Sequence, residues 1–292
     1  MKVTKKRVIV ISGIIIVIAA VNLFRLVSYL TRMDVDSARV ISHIAYENNP
    51  HLGYTVYIME DGIYTPYLVL SHRYNGHTLL LRKYLLDERM RYSYATIGGG
   101  AGYHAYYRYS YIDLFLEGEF FYLFSEPLQS MIVSADIEIT ARHSLRALNP
   151  DNFEYIERRV FLLSWYETWG RIRSRGFGSP AGTRYSRMPE GQRLAYFRPQ
   201  GEGRFSTGSA QPHRVGTTSS GQVWSWWLRT PQTINRTTQG SVVNWGGVHE
   251  SPHFWSISGP TLWGVRPAFR LPNDTPIRRG ELNGEMVFFV DY

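Results

Sequence analysis

Two dipeptides, Asp61-Gly62 and Asn75-Gly76, separate three short runs rich in β-branched and aromatic residues, and this arrangement leaves the runs little choice but to pair. The runs are YTVYIME (54 to 60), IYTPYLVLS (63 to 71) and TLLLRKYLL (78 to 86). Asx-Gly supplies the two positive-φ positions of a tight hairpin, so an antiparallel meander is predicted. With 44% of its 292 residues hydrophobic and 15% aromatic, the chain can bury a core of its own, which excludes a disordered chain or a fibre.

Cysteine is absent, which excludes disulfide scaffolds, thiolate zinc sites, CxxC redox centres and cysteine nucleophiles in any compartment. The formal charge of +8 suggests nucleic acid only until it is located. Lys2, Lys5, Lys6, Arg7, Arg25 and Arg32 precede the first acid, Asp34, and the remainder is +2, from 26 basic against 24 acidic residues. No nucleic-acid partner is expected. Val8 to Val21 carries no charge, and residues 8–27 as a helix, at about 1.5 Å per residue, would span the roughly 30 Å core of a bilayer. The expectation is a cytoplasmic tail (1–7), a transmembrane signal anchor (8–27) with the lipid bilayer as partner, and everything after it outside the cytoplasm. The chain would then be a single-pass cell-membrane protein. A cleaved signal peptide is the alternative, although Ile18 is bulky for a cut after Ala20. Val35, Val40, Ile41, Ile44 and Ala45 have helical spacing, ended by Asn48, Asn49 and Pro50, so residues 28–52 read as a helical stalk or as a helix packed on the domain that follows.

Residues 53–292 read as one extracytoplasmic domain. Ser110 with Asp113 makes a capping-box pair ahead of an apolar helix face (Ile112 to Phe124), which Gly118 is expected to divide. Ser125-Glu126-Pro127 opens a second short helix, IVSADIEIT is a strand, and Val160 to Leu163 is a buried strand leading to a helix opened by Ser164 and Glu167. The glycines around Gly98 to Gly102 lack the Lys-Ser or Lys-Thr of a phosphate loop and read as plain loop. From Arg158 to Arg229 there are 12 arginines against Glu167, Glu190 and Glu202, either a surface for polyanions or solvated loops. Six of the eight tryptophans fall between Trp224 and Trp263, in segments that read as strands of one small sheet. Alternation puts Trp224 and Trp226 on one face and Trp227 on the other.

The segments WWLRTP (226 to 231) and GVRPAF (264 to 269), with YIDLFLEGEFFYLFSEPLQSMI (111 to 132) and VFLLSWYE (160 to 167) upstream, resemble the uncharacterised bacterial domain-of-unknown-function family 6273. The resemblance covers roughly residues 54 to 272, with Thr230 where serine is usual and Gln232 where glycine is usual. It implies Trp226, Trp227, Leu228, Arg229, Pro231, Gly264, Val265, Arg266 and Pro267 as a structural signature. It also implies, by distant analogy, a C-type-lectin-like fold shared with formylglycine-generating enzymes. The expected fold class is therefore α+β: a mixed domain with a twisted antiparallel sheet and short helices, plus the amino-terminal transmembrane helix. The formylglycine-generating activity needs cysteines, which this chain lacks.

HESPH (249 to 253) matches the zinc-protease pattern by letter, but Pro252 sits inside the helical turn that His249, Glu250 and His253 would need. No G-x-S-x-G elbow and no EF-type calcium loop occurs. No metal or cofactor is expected. Arg229 and Arg266 read as structural cations stacked on indoles or paired with carboxylates. Asn235, Arg236, Asn244, Trp245, His249, His253 and Trp255 are the candidate ligand-binding residues, since aromatic faces beside amide and guanidinium donors suit sugars or peptides. The expected function is non-catalytic binding of a cell-envelope glycan, peptide or protein. The alternatives are a docking component of an envelope assembly and an unrecognised hydrolase.

Overall fold

The computed structural model describes residues 37–48, 54–93, 105–142, 153–169, 190–198, 212–231, 239–243, 254–256 and 262–292. The meander forms as β1 (Thr55–Glu60), β2 (Ile63–Tyr74) and β3 (His77–Arg82), paired antiparallel. Asp61 and Gly62 lie at φ 44° and 78°, Asn75 and Gly76 at 50° and 80°. Two consecutive left-handed residues give the turn the twist of its flanking strands, and Asn, Asp and Gly are the residues that tolerate it.

Helix α1 (Tyr111–Phe115) starts on Ser110, whose side chain accepts from the Asp113 amide. Gly118 does not divide the helix; the chain instead loosens to a π-turn over Leu116–Phe120 and tightens to a 3₁₀ turn over Phe121–Leu123. These changes of pitch bury Phe120, Phe121 and Phe124 together, and Phe124 meets Tyr67 and Phe269. Helix α2 (Glu126–Met131) follows, then a two-stranded ribbon of β4 (Ala135–Thr140) and β5 (Phe153–Arg158). The two-residue strand β6 (Val160–Phe161) leads into α3 (Trp165–Trp169).

Next come a short hairpin, β7 (Gly216–Thr217) with β8 (Val223–Trp224), and the fully buried strand β9 (Trp226–Pro231). Strand β9 pairs with β10 (Gln239–Val243), which pairs with β11 (Phe254–Ser256). The chain ends with β12 (Ala268–Leu271) and a hairpin of β13 (Ile277–Leu282) and β14 (Glu285–Val290), turned by Asn283 and Gly284 at φ 53° and 84°. The main sheet has seven strands in the order β13-β14-β1-β2-β3-β12-β6, antiparallel except where β1 and β14 run parallel.

Several expectations are corrected here. The domain is mostly sheet rather than the expected α+β mixed domain: fourteen strands are formed among the described residues, and the apolar run of 111–131 is broken by changes of pitch into turns of three to six residues. No helix among the described residues is long and apolar enough to cross a membrane, and the anchor expected at residues 8–27 lies outside those described. Within the segment read as a stalk, Ile41–Ile44 forms a single 3₁₀ turn. Ile41, Ile44 and Ala45 are buried, and the Ile41 amide donates to the Thr275 carbonyl. The tryptophan-rich end is split among three sheets: β8 pairs with β7, β9 with β10 and β11, and β12 joins the main sheet. Strand β12 leaves β9 for β3, where Ala268, Phe269 and Leu271 complete a core against Leu79, Leu80 and Leu81.

Candidate functional site

Two clusters at the tryptophan-rich end carry the polar chemistry of the domain. The first is sealed inside it. Ser164 and Glu167 form a reciprocal capping box, the Ser164 amide donating to Glu167 Oε2 at 2.7 Å and the Glu167 amide to Ser164 Oγ at 3.0 Å. The same carboxylate receives Arg229 in a bidentate pair, Nη1 to Oε2 at 2.8 Å and Nη2 to Oε1 at 2.9 Å, and accepts from the Tyr74 hydroxyl at 2.6 Å. Arg229 also donates to the Glu138 and Leu162 carbonyls. Both members of the pair are 0% exposed. Burial disfavours the Arg229 charge, but Glu167 and the other acceptors outweigh it and hold its pKa above the ordinary arginine value.

A second carboxylate, Glu190, is buried beside this pair. It accepts from the Thr140 amide at 2.7 Å, the Thr140 hydroxyl, and the Thr230 hydroxyl at 2.6 Å, while Thr230 Oγ1 accepts from the Trp165 amide. Burial raises the Glu190 pKa above the carboxylate norm, and Arg229 with the threonine donors offsets only part of that. Gly191 follows at φ 75°, where an added Cβ would collide with Glu167 Oε1. The LRT of WWLRTP is thus a structural knot, since each of these charges is buried and hydrogen-bonded.

The second cluster is open to solvent. Arg89, Gln222, Val223, Trp224, Ser225 and Trp263 line a groove of about 530 Å³, within the range of small-ligand sites. Three segments assemble it. The strap before Tyr92 is tied to the carboxyl-terminal motif by a reciprocal pair, the Met90 amide to the Trp263 carbonyl at 2.8 Å and the Trp263 amide to Met90 at 3.1 Å. Trp227 Nε1 also donates to the Met90 carbonyl. Gly264 then bridges the two signature motifs: its amide donates to the Ser225 carbonyl at 2.9 Å and its carbonyl accepts from the Trp227 amide at 3.0 Å. Only glycine fits there, because a Cβ would stand 2.7 Å from Leu85 Cδ1 and 3.2 Å from the Ser225 oxygen. The motifs therefore bring Trp224 and Trp263, both partly exposed, to the lining of one groove, while Trp226 and Trp227 are buried. The Arg89 guanidinium lies over the Trp224 ring at 4.3 Å.

Of the signature residues, Leu228, Pro231, Val265 and Pro267 are buried with the tryptophans. Arg266 is buried too; it donates to the Arg82 and Lys83 carbonyls and lies over Trp226 at 5.4 Å, and burial lowers its pKa. The predicted contact residues Asn235, Arg236, Asn244, Trp245, His249 and His253, and with them the HESPH motif, lie outside the described residues. Trp255 lies on the backbone of β11 opposite Gly240. The glycine-rich loop at 98–102 and residues 170–189 and 199–211 of the arginine-rich stretch also lie outside those described. Arg89 and Gln222 were missed because each stands in a polar turn whose position depends on pairing with distant segments. The period-two alternation grouped Trp224 with Trp226, but the strand breaks at Ser225, so Trp224 lines the groove while Trp226 is buried with Trp227.

A family model described as Domain of unknown function (DUF6273) matches residues 75–273. No curated protein and no solved structure matches the chain.

Proposed function

The chain belongs to domain-of-unknown-function family 6273, and from that premise we propose that it is a non-catalytic binding domain whose groove takes a sugar of a cell-envelope glycan. One observation carries this: two half-exposed indoles frame an open groove that also presents a guanidinium and a side-chain amide. Indole faces stack on the C–H faces of sugar rings, and amide and guanidinium donors meet ring hydroxyls, so the set suits a ligand with one apolar face and a polar rim. None of the described lining residues is a carboxylate or a histidine, the groups on which general acid–base chemistry most often draws. The buried carboxylates of the first cluster are committed to Arg229 and the threonines, which supports a structural part for them.

The test is saturable binding of the full chain to a glycan array or to purified wall polysaccharide. Trp224→Ala and Trp263→Ala are expected to abolish it while leaving the thermal unfolding transition cooperative. Failure to bind any glycan, with saturable capture of one envelope protein instead, would move the assignment to a docking component.

A further inference from the structure

We infer that the sugar taken by this groove carries a carboxylate, and that Arg89 receives it; this rests on the sugar-binding assignment above. Arg89 is exposed and is the only charged residue among the described lining residues. Other arginines of the domain are committed. Arg229 is paired with Glu167, Arg158 with Asp113 at 2.6 Å, and Arg82 with Glu60 at 3.1 Å, while Arg266 is spent on backbone carbonyls. Arg89 makes no ion pair with a described residue, and the nearby Asp87 accepts from the Ser219 hydroxyl at 3.0 Å.

The contact Arg89 does make is with the Trp224 ring, and this decides what it can still do. The guanidinium carbon stands 4.3 Å from the indole centroid on a side chain that is itself exposed, and contact with an indole uses none of the guanidinium N–H donors. These donors lie in the plane of the group, at its edge, and remain available to an acceptor approaching from the side. Two parallel N–H groups in a plane match the two oxygens of a carboxylate, giving a bidentate charge-assisted pair. The cation–π contact also holds the guanidinium near the groove before ligand arrives, which lowers the ordering cost of binding. Trp263 lines the same groove and supplies an apolar surface for the ring that bears the acid, and Gln222 supplies an amide for its hydroxyls. A uronic acid satisfies all of these groups at once, whereas a neutral sugar leaves the cation unused.

The experiment is calorimetric titration of the full chain with trigalacturonate, with its methyl ester, and with a sulfated neutral trisaccharide. The ester keeps the ring and the hydroxyls and removes only the charge. The acid is expected to bind about tenfold or more tightly than the ester, as one charge-assisted bidentate contact allows. That advantage should shrink as ionic strength rises. Arg89→Gln should bring the acid down to the affinity of the ester, and Arg89→Lys should recover only part of the difference. Equal affinity of acid and ester would overturn the carboxylate assignment and leave sugar binding standing. So would a sulfated sugar that binds as tightly as the uronate, because the site would then read any anion. Absence of binding to both acid and ester also overturns it, and the glycan array then decides separately whether sugar binding survives.

Discussion

Arg229 and Arg89 both work at the tryptophan-rich end of the chain, and their surroundings are opposite. Arg229 is 0% exposed and bonded to a carboxylate and two carbonyls, so it has nothing left to offer a ligand. Arg89 is exposed, rests on one indole and makes no ion pair with a described residue. The difference teaches that a cation among tryptophans is assigned to architecture or to binding by how completely its donors are used, because a buried donor left unpaired costs far more than a solvated one.

The largest effect expected from breaking this contrast is on the sealed side. Arg229→Met would leave Glu167 buried without its cation, and chemical denaturation should show a loss of about 3–5 kcal/mol. Gly191→Ala asks a left-handed position to carry a side chain that collides with Glu167, and the same measurement should show about 1–3 kcal/mol lost. A subtler effect concerns pH. Because burial raises the folded-state pKa of Glu190 above its ordinary value of 4.5, the folded form holds that proton more tightly than the unfolded chain. Its contribution to stability is therefore complete below about 4.5 and is lost as pH rises through the folded pKa. Glu190→Gln should remove that part of the pH dependence, so that wild type minus variant, followed by denaturant midpoints, falls as pH rises. A difference that stayed flat with pH would show that the Glu190 pKa is the same folded and unfolded, and one that rose with pH would show that the knot favours its charged form. On the open side, Arg89→Gln should change the unfolding free energy by no more than about 1 kcal/mol, and its consequence should appear in ligand titration instead. A large stability loss there would make Arg89 structural and erase the contrast.

What could be read in advance follows from the range of the forces involved. Asp61-Gly62 and Asn75-Gly76 announce their turns because the left-handed conformation is a property of two adjacent residues. Ser110 with Asp113 and Ser164 with Glu167 announce helix starts for the same reason. Asn283-Gly284 carries the same turn signal, but the strand it leads into pairs parallel to β1, more than two hundred residues upstream, and no local pattern states that partner. The second duty of Glu167 was equally hidden. Its spacing from Ser164 marks a cap, whereas its pairing with Arg229 exists only because β9 lies against α3.

By itself, the sequence determined the cysteine-free chemistry, the meander with its turns, the capped helix starts, and the membership of the chain in its family. Tertiary structure alone decided that the tryptophan-rich segments would part among three sheets, that Arg229 would be sealed, and that Arg89, Trp224 and Trp263 would meet around one opening. The physical reason is distance along the chain. Turn and cap preferences act within a few residues, but burial and donor satisfaction depend on which remote segments arrive, and here Gly264 lets two of them approach closely enough to build the groove.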